Sequence, residues 1–233
     1  MWWAGSSLAL YVGLRRSLVM NGGQVLHDQA CTSPTDGLAA LSLRLEALPA
    51  RHRARLWLSG ALCRPFLLPD LRSFKSPAEV DAAADALGRA ALDVASVRCW
   101  LQPVRRGADA CLGVAVAENV ATLAEQTLAE HVKGRLRLSP WWADATRLVV
   151  GADAYLAIDD GDSLTILQMQ HGQIIRARTA APLGADGAQA TLMRWRAAGE
   201  LPRDGVTQLR LQESTSAAGL GGRMALGAMT DKT

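Results

Sequence analysis

The strongest constraint on this chain is a pattern that occurs twice. Residues 154–180 read AYLAIDDGDSLTILQMQHGQIIRARTA: two apolar runs flank the acidic turn Asp159-Asp160-Gly161-Asp162, and His171-Gly172 leads into a third run. Short apolar runs bounded by Asp and Gly are strand-and-turn chemistry, so the stretch predicts a three-stranded antiparallel meander. Residues 7–30, SLALYVGLRRSLVMNGGQVLHDQA, follow the same plan, with Gly13 in the first gap and Asn21-Gly22-Gly23 in the second. Asn and Gly tolerate positive φ, which makes that second gap a strong hairpin signal. Ser17-Leu18 matches Ser163-Leu164 at an offset of 146, and Gly23-Gln24-Val25-Leu26 matches Gly172-Gln173-Ile174-Ile175 at 149. A longer central hairpin in the second copy absorbs the difference.

Each meander leads through a loop to a helix and then a strand. In the first copy, Leu38, Leu41, Leu45 and Leu48 form one stripe of a helix over 37–48, which Thr35 or Asp36 can cap and Pro49 ends. Arg55–Ala61 (RLWLSGA) then returns as a strand beside the first, as a parallel crossover. In the second copy the helix covers 188–198 and the strand is Val206–Leu211. Between the copies, Cys63–Pro69 carries two prolines and reads as an extended loop. Ser76-Pro77-Ala78-Glu79 opens a helix with its cap, its N1 proline and its N3 glutamate in place. Val97–Val104 and Ala110–Ala117 predict a hairpin, and Glu118–His131 an amphipathic helix. Trp141-Trp142 suits packing at the junction between halves. The expected division is a first subdomain over 1–138, a second over 139–213 and a flexible Gly/Ser-containing tail over 214–233.

Composition excludes several functions. With 233 residues, 49% hydrophobic and a formal charge of only +3, the chain has core material for a globular protein and no strong electrostatic footprint for nucleic acid. The densest basic cluster, Arg51-His52-Arg53-Ala54-Arg55, reads as a solvated turn. Cys31, Cys63, Cys99 and Cys111 form no CxxC and lie in or beside apolar runs, so reduced core thiols are expected and no metal. No apolar run approaches 18 residues, and MWWAGSSLAL lacks a basic n-region, so neither a span nor a signal peptide is expected and a cytoplasmic location follows. His27-Asp28 could make a base pair for proton transfer, but His27, His52, His131 and His171 all suit turns or element ends. No GxSxG, HExxH or P-loop occurs.

A β-β-β-α-β unit occurring twice resembles the ground plan of the actin–hexokinase superfamily. That resemblance implies a mixed α/β fold of two duplicated actin-like, ribonuclease H-like units. It also implies phosphate loops of the form Asp-x-Gly-x-Ser/Thr in the first hairpin turn of each unit. Gly lets backbone N–H groups reach phosphate oxygens, and Asp holds a metal ion or acts as base. Asp159, Gly161 and Ser163 match that form as vestigial phosphate-loop candidates, whereas the first copy reads Tyr11-Val12-Gly13-Leu14-Arg15 and has no carboxylate. Three aspartates in four residues also repel a phosphate unless a cation lies between them.

With its missing first Asp, its size and its ending Leu209-Arg210-Leu211-Gln212-Glu213, the chain resembles over residues 8–213 the cytoplasmic domain of GspL-type proteins of type II secretion. More loosely it is similar to PilM-type proteins of type IV pilus assembly. This implies a non-catalytic scaffold without cofactor, peripheral to a bacterial inner membrane, that links a membrane platform to a cytoplasmic assembly ATPase, and it leaves room for a homodimer. GspL-type chains continue into a membrane anchor, so the expectation is a soluble domain or a stand-alone homologue docked on a separate membrane protein. The competing expectation is an active actin-like ATPase or kinase that uses the Asp159–Ser163 loop.

Overall fold

The computed structural model describes residues 8–21, 24–48, 51–102, 110–145, 154–170, 173–181, 183, 187–202, 204–211 and 226–229. The gaps at 22–23, 103–109 and 171–172, and the Gly219–Gly222 run, lie outside them.

Both meanders form. β1 (Leu8–Val12), β2 (Arg16–Asn21) and β3 (Gln24–Ala30) are antiparallel, and the helix α1 (Pro34–Glu46) carries the chain to β4 (Arg51–Leu58), parallel to β1. In the second half β9 (Ala154–Asp159), β10 (Leu164–Gln170) and β11 (Gln173–Ala180) lead through α5 (Gly187–Ala197) to β12 (Val206–Leu211), parallel to β9. With β8 (Val132–Pro140) and β13 (Leu226–Met229) as edges, the sheet orders are β3-β2-β1-β4-β8 and β11-β10-β9-β12-β13. The central strand β1 is buried along its whole length, as a strand covered on both faces must be.

The duplication extends to an irregularity. The β2–β3 register slips between Val19 and Met20, and the β10–β11 register between Gln168 and Met169, 149 residues later. A bulge is a built feature of a strand pair, so its recurrence at one place in both meanders ties the copies together. It fixes the offset of β2 and β10 at 149, and the Ser17–Ser163 match at 146 is not a register match. The second hairpin is longer, closing at Asp159↔Leu164 where the first closes at Val12↔Ser17.

Between β4 and β8 lies a third sheet, β5-β7-β6, made of β5 (Cys63–Pro69), β6 (Val97–Leu101) and β7 (Ala110–Ala117). One face carries the helix α2 (Pro77–Leu92), capped by Ser76 as expected. The helix α3 (Glu118–Ala129) follows β7 and packs on α1, where the Ser42 hydroxyl meets His131 Nε2 at 2.8 Å. The segment 63–69, expected to be a loop, is thus a strand. Its prolines are tolerated because β5 is an edge strand, with β7 on one side only among the described residues.

Three other expectations change. The α1 cap is Ser33, whose hydroxyl accepts from Asp36 N at 3.1 Å, two or three residues before the expected caps. The expected division at 138/139 falls inside β8, which runs parallel to β4 as far as Pro140. Residues 226–229, within the expected loose tail, form β13 against β12. The Trp pair is buried: after β8, the short helix α4 (Trp141–Ala145) packs Trp141 edge-on against Trp57 at 5.1 Å and Tyr11 at 6.2 Å, and Trp142 is 1% exposed.

Gly113 in β7 leaves room for the Phe66 ring, since a Cβ there would stand 2.2 Å from it. Phe66 is buried with Ala84 and Ala115 as the core of this third sheet. The change Gly113→Ala is expected to destabilise the protein by about 1–3 kcal/mol through overpacking. In urea unfolding, Phe66→Leu in the same chain should recover part of that loss, so the two changes should be non-additive.

Candidate functional site

The two central hairpin turns face each other across the halves. The first comprises Gly13, Leu14 and Arg15, closed by Gly13 N–H donating to Arg16 O at 2.9 Å. The second comprises Asp160–Ser163, closed by Asp160 N–H donating to Ser163 O at 3.2 Å. Gly161 lies at φ +86°, a conformation that favours Gly, and its N–H donates to Asp159 Oδ1 at 2.9 Å.

Each of the three aspartates has its own donors. Asp159 Oδ2 accepts from Arg210 Nε at 2.8 Å, across the parallel β9–β12 pair. Asp160 turns inward. Its carboxylate accepts from Gly60 N at 2.8 Å, Asp162 N at 3.1 Å, Ser163 N at 2.7 Å and the Ser163 hydroxyl at 2.9 and 3.0 Å. Asp162 reaches across to the other half, where Oδ2 accepts from Leu14 N at 2.6 Å and Arg15 N at 3.4 Å. Successive backbone N–H groups in a turn make an anion cradle, and here the anion is a side chain of the same protein.

Two glycines permit this approach. A Cβ on Gly13 would stand 2.1 Å from Asp162 Oδ2, and one on Gly60 2.4 Å from Ser163 Oγ. Around the clasp, Arg15 donates to Leu183 O at 3.3 Å, and Arg64 donates to Gly60 O and, at 3.3 Å, to Ala181 O. Tyr11, fully buried, points its hydroxyl at Asp160 O at 3.4 Å.

Burial shapes the electrostatics. It pushes the Asp160 carboxyl up to about 6 against the opposing pull of the Gly60 and Ser163 donors. Burial, then the charges of Asp160 and Asp162, hold the Tyr11 phenol well above its ordinary value. Burial likewise raises the Cys63 thiol, so it is no nucleophile at neutral pH.

The expected site residues are thus separated in role. Asp159 is turned to Arg210, Ser163 is spent on Asp160, and Gly161 shapes the exposed tip. Asp162, Gly60 and the Leu14 and Arg15 amides carry the junction. Sequence reasoning gave them no such role; the crowding of three acids in one turn was the available signal. His27 and Asp28 do not pair, because Asp28 binds Arg16 at 2.5 Å. Among the described residues no three His, Cys, Asp or Glu side chains converge as metal ligands.

These residues do not fit the phosphates of a nucleotide. The Leu14 and Arg15 amides already hold a carboxylate, and the first turn contributes none of its own. Counted from the last paired residues, Val12 holds the position of Asp159 and Tyr11 that of Ile158.

The sequence matches no protein-family model and no curated protein at a significant level. Solved structures do match. A Bacteroides thetaiotaomicron protein described as having an actin-like ATPase fold and unknown function is similar at TM-score 0.60 and 12% identity, over 93% of this chain and 86% of that one. The cytoplasmic domain of EpsL from Vibrio cholerae, an inner-membrane component of the type II secretion system, is similar at TM-score 0.51 and 10% identity, over 88% and 82%. The fold is actin-like, a duplicated mixed α/β architecture, and it resembles that of the EpsL (GspL-type) cytoplasmic domain. Among the described residues no helix is long and apolar enough to cross a membrane.

Asp162→Ala leaves the Leu14 and Arg15 amides unpaired and is expected to cost about 1–3 kcal/mol in urea unfolding. Asp160 should make stability fall with rising pH. Its folded value of about 6 lies above the ordinary carboxylate value, so the folded state binds the extra proton. That contribution is full below about pH 4 and is lost as pH rises through 6, a change of roughly 3 kcal/mol. The stability difference between wild type and Asp160→Asn should therefore shift by that order between pH 4 and 7.5; a pH-independent difference would contradict the buried, proton-binding carboxyl.

Proposed function

We propose that this chain is a non-catalytic actin-like scaffold of a bacterial type II secretion or type IV pilus-like machine. In this reading it is cytoplasmic, peripheral to the inner membrane, and links a membrane platform to the assembly ATPase. The likeness to the EpsL cytoplasmic domain supports the machine, and the Asp162 clasp carries the absence of catalysis. A carboxylate fixed on the turn amides takes the place where a phosphate would need N–H donors, and its charge repels one. The competing ATPase or kinase reading needs Asp159 and Ser163 free to meet a metal ion and a phosphate. Both side chains are engaged within the fold.

The test is a thermal melt with and without Mg-ATP at millimolar concentration. The expected outcome is no change in Tm; a rise of several degrees would overturn the closed-cleft reading, because a ligand that binds only the folded state must stabilise it. The adaptor role is tested separately, by co-purification with the secretion ATPase and platform proteins of the same cell.

A further inference from the structure

The two sheets differ at one edge. In the first, the place beyond β4 belongs to β8, which is nine residues long and runs parallel to its neighbour from Arg51 to Leu58. In the second, the equivalent place beyond β12 is taken by β13, which is four residues long and antiparallel. β13 faces Gln208–Leu211 only, so Val206 and Thr207 of the six-residue β12 have no strand beyond them among the described residues.

The connection to β13 is long. Leu211 pairs with Leu226, so fourteen residues join two positions that face each other, where antiparallel neighbours commonly need about two to five. A longer loop raises the entropy cost of closure, and β13 pairs with β12 alone among the described residues. The edge nevertheless calls for a neighbour. Val206 and Leu209 are buried, one in each of the two cores that flank β12, and an apolar strand left as an edge is a template for pairing. Its one charged residue, Arg210, is already held by Asp159 at 2.8 Å, and the residue across from it is Gly227. The seated segment, Leu226-Gly227-Ala228-Met229, carries no charge.

We propose that the outer edge of β12 is a strand-addition site for an extended, uncharged segment of a partner protein, and that β13 holds its place. The segment seated there shows the chemistry the edge accepts: small and apolar residues with no charge to match, because Arg210 is neutralised from within. Strand addition draws its affinity from main-chain hydrogen bonds. A partner strand that runs the whole of Val206–Leu211 pairs with two more residues than β13 does, and can therefore displace it. The tethered strand competes at an effective concentration on the order of millimolar, which sets a threshold that weak binders do not pass. The site depends on the scaffold reading, to which it adds an edge and a kind of segment.

The experiment releases β13 in the full chain with the double substitution Gly227→Pro and Ala228→Pro. Successive residues of a strand point their N–H groups to opposite sides, so one of the two prolines removes a donor to β12. A labelled peptide with the sequence of residues 222–230 should bind this variant at least about tenfold more tightly than it binds the wild type, where the tethered strand competes. Amide exchange over 208–211 should quicken in the variant and slow again on peptide addition. A second release, Leu226→Asp with Ala228→Asp, keeps every backbone donor and should behave alike; melting curves show which variants fold. Random peptides on phage, selected on the released chain and counter-selected on the wild type, should be uncharged where they pair and should compete with the 222–230 peptide. No binding to either released chain, equal binding to wild type, or selection of charged peptides would overturn the proposal. So would a self-association in sedimentation that the prolines abolish, which would make the occupant a second copy of this chain. No readout involves nucleotide, so this edge and the closed cleft can fail independently.

Discussion

The structure depends on one carboxylate. Asp162 lies across the junction on the amides of Leu14 and Arg15, at 2.6 and 3.4 Å, and it joins two chain segments almost 150 residues apart. A charged acceptor on backbone N–H groups is among the stronger hydrogen bonds a protein makes, and burial removes competing water. The turns can come this close only because Gly13 and Gly60 have no Cβ. The neighbouring acids would repel one another in a bare turn. Here Asp159 is neutralised by Arg210 and Asp160 is wrapped in N–H and O–H donors. Turn composition that reads as a cation or phosphate site is accounted for by the protein's own groups.

Aromatic packing supports the clasp from below. Trp141 meets both Tyr11 and Trp57 edge-on, and Tyr11 in turn reaches the second-half turn through Asp160 O. The large apolar core also crosses the junction, joining Leu10 and Leu56 to Leu156, Ile158 and Leu209. The two units therefore share one core near their central strands, and the polar contacts define their register within it.

Local chemistry made much of this legible. The meanders, the Ser76 cap and the parallel return of β4 follow from turn residues, helix signals and apolar period alone. Contacts distant in sequence hid the rest. β5 carries two prolines and reads as a strand only when β7 is placed beside it. The pairing of β8 with β4 depends on partners more than eighty residues away, and its short apolar positions Leu136 and Leu138 gave little sign of it. The site was half legible: the second turn stood out as phosphate-loop-like and the first as lacking its acid. That one turn would supply the ligand for the other could not be read from either, because the partners of Asp159 and Asp162 lie in segments distant along the chain.

In actin-like proteins whose halves move, a bound ligand has to favour one arrangement over another, and it can do so only by its differential affinity. In this chain the group on the turn amides is tethered. A side chain held in place competes at an effective concentration that a free phosphate compound at millimolar levels does not match. The closed arrangement is then held by the protein's own groups, with the outer surface fixed around it. The energetic cost of keeping Asp160 buried at neutral pH is consistent with that arrangement: stability is given up at the junction, where it specifies one geometry, while the outer edge of β3 pairs with no other strand among the described residues. In such an arrangement the junction serves to hold the outer surface in one shape.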